Sequence, residues 1–190
     1  MKEAFTTMMQ FRMKVMAKDS KAQMREDQRK VLVELQKNSN ANRDTIAKSC
    51  GFSPQKICRI IRQMEKNNML WGYTAVADEQ KQGHQKFVLL LKRSTKPIDA
   101  ETADQLISYR TDKDIVKLGI NVENSYYTHG EYDWVLIFTA SDMSHAKKFS
   151  DMLVNKYPNM VSKVNLMQIL ITLRSQHILN PEYMKIREYL

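Results

Sequence analysis

Cysteine is nearly absent from this chain: Cys50 and Cys58 are the two in 190 residues. That is too few for a disulfide framework, and both are expected to pack as small apolar residues. The four histidines, His84, His129, His145 and His177, show no metal-ligand spacing, so neither a metal nor another cofactor is expected. Glycine (5) and proline (4) are scarce, and Gly51, Pro54, Pro158 and Pro181 fall where turns or helix ends are wanted. No apolar run approaches the roughly 20 residues that span a bilayer, so no membrane partner is expected. The opening MKEAFTTMMQFRMKVMAKDSK has no continuous apolar stretch of the kind a secretory signal needs, and the expected location is cytoplasmic. Acids are outnumbered, 21 Asp/Glu against 30 Lys/Arg, for a net charge of +9.

The surplus is uneven. Residues 1–85 hold 16 Lys/Arg against 9 Asp/Glu, and residues 86–190 hold 14 against 12. A basic first half favours a polyanionic partner. Charge alone does not separate DNA from RNA or an anionic membrane.

The stretch from Asn42 to Tyr73 narrows the choice. Asn42 is placed to cap a helix over Arg43–Cys50, with Ile46 and Ala47 inward and Gly51 as a left-handed stop. Ser53 caps a second helix that has Pro54 at its first position. Two helices joined by a short glycine-containing turn are the pattern of a helix-turn-helix. At about 100° per residue, Ile57, Ile60, Ile61 and Met64 share one face of the second helix. Gln55, Arg59, Arg62 and Lys66 lie opposite, flanked by Lys56 and Gln63, and this outer face carries no acid. Arg and Lys can grip guanine, and Gln adenine, in a groove that admits a helix. The expected contacts to double-stranded DNA are Arg43, Ser53, Gln55, Lys56, Arg59, Arg62, Gln63 and Lys66. An ordinary solvated basic face is the plainer alternative.

Around this motif, residues 1–25 read as a Met-rich, basic helical extension, with Phe5, Met8, Met9 and Met16 near one face. Glu26 to Gln36 reads as the first helix of the DNA domain, with Val31, Leu32 and Leu35 inward. Met69 to Ala77, MLWGYTAVA, reads as a β wing, which closes a winged helix-turn-helix domain over 26–78. A polar linker covers 79–85.

From residue 86 to 176 the pattern changes to β-α-β-β-α-β, a ferredoxin-like sandwich in an α+β chain. Its strands are Lys86–Lys92, Lys117–Tyr127, Trp134–Ala140 and Val161–Arg174. Its helices are Ala100–Arg110 and Ser144–Tyr157. Residues 177–190 read as a short C-terminal helix. KFVLLLK and WVLIF are apolar on both faces, and two helices cover only one face of four antiparallel strands. The other face is expected to be covered by a second copy, because monomers rarely expose so large an apolar patch. A homodimer is expected, with growth to an octamer left open, and a two-fold axis suits palindromic half-sites.

The combination resembles the Lrp/AsnC (feast/famine) family of transcription regulators over about residues 26–176. The resemblance is carried by DTIAKSCGFSPQKICRIIRQMEKNNMLWGYTAVAD, by HGEYDWVLIFTASD and by the last strand VNLMQILITL. It implies a regulator that is not an enzyme, with a RAM-type second domain that binds small effectors, often amino acids, near a Gly-x-Tyr-Asp loop. Gly130, Tyr132 and Asp133 match that loop. Asp133 is then a partner for a ligand ammonium; the alternative is that Gly130 shapes a hairpin and Asp133 caps it. The long N-terminal extension and the C-terminal helix depart from the family pattern. Two other functions stay open. One is an enzyme like the sirohaem decarboxylases, which share the two-domain plan, with His129 and Arg174 facing porphyrin carboxylates. The other is an architectural DNA-binding protein with little sequence preference.

Overall fold

A computed structural model describes residues 21–107 and 112–190 of the chain. They divide into two compact units. One holds residues up to Val76 together with Arg174–Asn180, and the other holds Ala77–Leu173 and Pro181–Leu190. The Met-rich face expected at Phe5, Met8, Met9 and Met16 lies outside the described residues.

In the first unit, helix α1 runs through residues 21–37, so it begins earlier than the expected Glu26. Helices α2 (Arg43–Cys50) and α3 (Pro54–Lys66) follow. Each expected cap is present. The Asn42 side chain accepts from Asp44 N at 2.9 Å, and Ser53 Oγ accepts from Lys56 N at 3.2 Å. Gly51, at φ 70°, closes α2, and Phe52 N donates back to Ala47 O at 2.9 Å. Val31, Leu35, Ile46, Ala47, Ile57, Ile60, Ile61 and Met64 make one buried core. Burying side chains of this size contributes about 1.5–3 kcal/mol each before the entropy of ordering is subtracted.

The wing did not form as expected. Residues 69–77 contain no strand. Their β-branched and aromatic composition suits a strand, but a strand needs a neighbour to satisfy its backbone. Among the described residues no segment pairs with them. Instead Met69 N and Leu70 N both donate to Met64 O, and Asn68 turns the chain at φ 56°. Trp71 is left 93% exposed, its indole N–H donating to Asn68 O at 2.7 Å. The same unit holds a small hairpin, β5 (Arg174–Ser175) and β6 (Ile178–Leu179), turned through Gln176 and His177, both at positive φ.

The second unit is a four-stranded antiparallel sheet in the order β2-β3-β1-β4. Its strands are β1 (Gln85–Arg93), β2 (Asn121–Tyr127), β3 (Trp134–Ala140) and β4 (Val161–Ile169). Helices α4 (Ala100–Ile107), α5 (Asp112–Lys117) and α6 (Met143–Lys156) complete it. The last residues of the expected Ala100–Arg110 helix, 108–110, lie outside the described residues. Phe87, Leu89, Leu91, Leu136 and Phe138 alternate onto one face and pack with Phe149 and Leu153 of α6. Phe138 stacks on Phe87 with ring centres 5.6 Å apart and meets Phe149 edge-on at 4.9 Å.

Two boundaries in this unit differ from expectation by several residues, and one helix differs in type. Strand β2 starts at Asn121 rather than Lys117. Gly119, at φ 68°, is a helix stop, and Ile120 N donates back to Ile115 O, so Lys117 belongs to α5. Strand β4 ends at Ile169 rather than Arg174, which begins the separate hairpin. The C-terminal segment is a 3-10 helix, Tyr183–Glu188, not an α-helix.

The other sheet face carries Val88, Leu90, Val135 and Ile137, partly exposed and outside the core, with Met167 41% exposed. At its end the ammonium of Lys86, 8% exposed, sits between Glu79 (2.6 Å) and Glu123 (3.0 Å).

Candidate nucleic-acid interface

Helix α3 sorts its side chains into two sets. Ile57, Ile60, Ile61 and Met64 are buried, while Gln55, Arg59, Arg62 and Lys66 are exposed along one stripe at helical spacing. Among the described residues no ion pair involves Arg59, Arg62 or Lys66. Three cationic or amide-bearing turns in a row are therefore presented to solvent with their donors uncommitted. That is the chemistry a base edge or a phosphate requires.

The remaining expected contacts are engaged within the fold. Lys56 does not stand with the stripe. Its ammonium lies 2.7 Å from the Asp27 carboxylate of α1 and 3.7 Å from the centre of the Phe52 ring. Asp27 is itself only 7% exposed and accepts a second bond from Gln23 at 3.0 Å. The hydrogen bond from Lys56, then that from Gln23, holds the Asp27 carboxyl below its ordinary pKa despite burial. Ser53 uses its hydroxyl as the helix cap. The Gln63 amide points to Met24 Sδ at 3.3 Å. Arg43 is half-buried in the neighbourhood of Tyr73, whose hydroxyl donates to Glu65 at 2.9 Å. Burial, then the bond to Glu65, pushes the Tyr73 phenol above its ordinary pKa, and Arg43 opposes the shift.

In the second unit, Gly130, Tyr132 and Asp133 share the loop between β2 and β3. Asp133 ties the loop to β1. Its Oδ2 accepts from Arg93 N at 2.8 Å, and its own N donates to Leu91 O at 2.9 Å. Thr128 closes the loop with bonds to Asp133 O and Tyr132 O. Lys163 pairs with Glu131 at 2.9 Å and lies 5.2 Å from the Tyr132 ring centre. Gly130 has open space where a Cβ would stand. Arg93, Glu131 and Lys163, which the sequence did not single out, are charged groups at this loop.

The groups considered for an enzyme are arranged otherwise. His129 is exposed in the same loop. Arg174 donates to His177 O at 3.0 Å within its own hairpin. Ser141 and Asp142 both approach Nδ1 of His145 at 2.9 Å, so they share one ring nitrogen and do not form a relay across the imidazole. Among the described residues no cluster of His, Cys, Asp and Glu could hold a metal, and no helix is long and apolar enough to cross a membrane. Burial, then the charge of Glu34, raises the Cys50 thiol above its ordinary pKa, which disfavours the reactive thiolate.

Comparison with solved structures decides the fold. An AsnC family transcriptional regulator from Agrobacterium tumefaciens superposes with a TM-score of 0.58, covering 83% of this chain and 97% of that one at 21% identity. The chain has the fold of Lrp/AsnC-type regulators. LrpC of Bacillus subtilis matches with a TM-score of 0.55 over 78% of this chain and 96% of its own, at 18% identity. A transcriptional regulator of Neisseria meningitidis, solved as its L-Met complex, matches with a TM-score of 0.60 over 86% and 97%, at 15% identity. In sequence, the uncharacterized HTH-type transcriptional regulator YugG of Bacillus subtilis is 27% identical over 127 residues, which are 65% of this chain and 72% of that protein. No family model matches the sequence.

Proposed function

We propose that this Lrp/AsnC-type protein is a sequence-specific transcription regulator that reads duplex DNA with α3. The observation that carries the reading is the exposed stripe Gln55, Arg59, Arg62 and Lys66, free of acids and of ion pairs among the described residues. Gln55 and Arg59 lie toward the N-terminal end of the helix and contact base edges. Arg62 and Lys66 lie further along and contact phosphate. Lys56 supports the helix from behind rather than reading bases.

The working unit is a homodimer built through the open sheet face of the second unit. Val88, Leu90, Val135, Ile137 and Met167 supply the apolar area, and one copy covers the other. The dimer pairs two recognition helices with palindromic half-sites, and further association of dimers is part of the reading. A small amino-acid-like effector binds near Gly130, Tyr132 and Asp133 and shifts the balance between assemblies, as differential affinity requires. The L-Met complex of the Neisseria relative supports an amino acid as the class. The cytoplasm is the expected place of action.

The test is competition binding. Genomic fragments are selected by the purified protein, and the enriched duplex is then compared with random duplex at one salt concentration. A cognate preference of about 1000-fold or more is expected of a specific regulator. Equal binding to both would identify an architectural protein instead. A coloured preparation with porphyrin absorbance would point to the enzyme.

A further inference from the structure

Strand β1 ends in an irregularity. Its register against β4 shifts between Lys92 and Arg93, opposite the extra β4 residue Ser162, whose Oγ donates to Arg93 O at 2.8 Å and to Lys92 O at 3.2 Å. Bulges re-aim a side chain, and they occur beside functional sites more often than elsewhere. The residue facing this bulge at the end of β1 is Arg93. Its NH1 donates to the Tyr127 hydroxyl at 3.1 Å, and the Tyr127 ring stands edge-on to Trp134 with centres 5.3 Å apart. Its Nε is buried and has no hydrogen-bond partner. An orphaned donor on a charged group is rare, because it forfeits the hydration it lost on burial.

The obvious partner stands next to it and is not used. Asp133 Oδ2 accepts from the backbone N of Arg93 at 2.8 Å, yet among the described residues the Arg93 guanidinium forms no ion pair with that carboxylate. Two opposite charges thus flank one loop without neutralising each other. Lys163, another cation at the loop, is already held by Glu131. The uncompensated pair is complementary to a small zwitterion. An ammonium would meet Asp133, and a carboxylate would meet the forked donors of Arg93.

We propose that Arg93 is the carboxylate-binding residue of the effector loop, acting with Asp133 so that the site selects molecules bearing both an ammonium and a free carboxylate. This rests on the effector reading of the Gly130–Asp133 loop and adds to it the group that recognises the acid end. Tyr127 holds the guanidinium in place, and Ser162, the bulged residue of β4, holds the Arg93 carbonyl.

The experiment is calorimetric titration of the full chain with a panel of L-amino acids and their α-carboxamides, which keep the ammonium and lose the carboxylate. Wild type should bind at least one amino acid, more than about tenfold tighter than its amide, as one charge-assisted hydrogen bond implies. Arg93→Gln should weaken the acid to the level of the amide while DNA affinity at low protein concentration is kept. Arg93→Lys, a second variant should the first fold poorly, should keep a preference for the acid at reduced affinity. An acid-over-amide preference that survives in Arg93→Gln, or a site that is lost in Asp133→Asn but untouched in Arg93→Gln, would overturn the assignment and leave the effector reading standing. No heat from any compound with wild type would remove both.

Discussion

Lys56 and Asp27 form a contact between α3 and α1, with the ammonium and carboxylate 2.7 Å apart and the carboxylate nearly buried. The pair takes a lysine that sits among the proposed DNA-contacting residues in sequence and ties it to α1 instead. Asp27→Asn should destabilise the protein by about 1–3 kcal/mol, since a bond to a charged group is lost at a site water reaches poorly. The shift has a definite pH sign. The Asp27 pKa is depressed in the native state, so its stabilisation is present above the unfolded value of about 4 and is lost as pH falls through the native one. The stability gap between wild type and Asp27→Asn in urea titrations should therefore be full at neutral pH and shrink below about pH 4. A gap independent of pH would mean that the carboxylate charge does not matter.

The proposed DNA recognition is expected to divide along α3. Arg59→Ala should cost about 1–3 kcal/mol in binding and relax preference at one base position. Lys66→Ala should weaken all sequences alike and reduce the salt slope by about one unit. Lys56→Ala should lower stability more than it alters base preference. Fluorescence anisotropy on cognate and mutated duplexes at several salt concentrations would check all three. An Arg59→Ala protein with unchanged affinity and preference would place a different surface on the DNA.

Assembly depends on which way one residue points. Ile137 pairs with Val88 on the open sheet face, whereas its neighbours Leu136 and Phe138 lie in the core. Ile137→Lys should give a folded protein that sediments as a monomer. Phe138→Lys should unfold the second unit, because it places a charge where no partner exists. Light scattering with circular dichroism distinguishes these outcomes. An Ile137→Lys protein that stays dimeric would show that the copies meet elsewhere.

The stop between α2 and α3 is a backbone effect. Gly51 lies at φ 70°, and a Cβ there would touch nothing within 4 Å. Gly51→Ala should still cost about 1 kcal/mol, from the left-handed conformation alone. Gly51→Asn should recover part of the loss, since Asn tolerates that region. Thermal melts of the three proteins would show whether the order holds.

Much of this molecule is legible in its sequence. Asn42, Gly51 and Ser53 specify helix ends through atoms within a few residues of themselves, and the 3.6-residue spacing of Ile57, Ile60, Ile61 and Met64 specifies a buried face. Strand β3 falls on Trp134–Ala140 as read, because an apolar run with its turn signals is complete in itself. The departures have two causes. MLWGYTAVA has the composition of a strand but no partner among the described residues. Lys117 ends a helix rather than starting a strand because Gly119 closes α5 in the left-handed region.

What the sequence by itself determined was local: the caps, the period of each element, the charge of each face, and the β-α-β-β-α-β order that admits a ferredoxin-like sheet. These follow from forces acting within a turn or a strand. What only the tertiary structure decided was pairing between distant segments: Asp27 claiming Lys56, Asp133 claiming the backbone of Arg93 but not its guanidinium, and the side of the sheet on which Ile137 stands. Such choices depend on which remote groups arrive within about 3 Å of one another after the core has packed. Side-chain identity along the chain does not encode that distance.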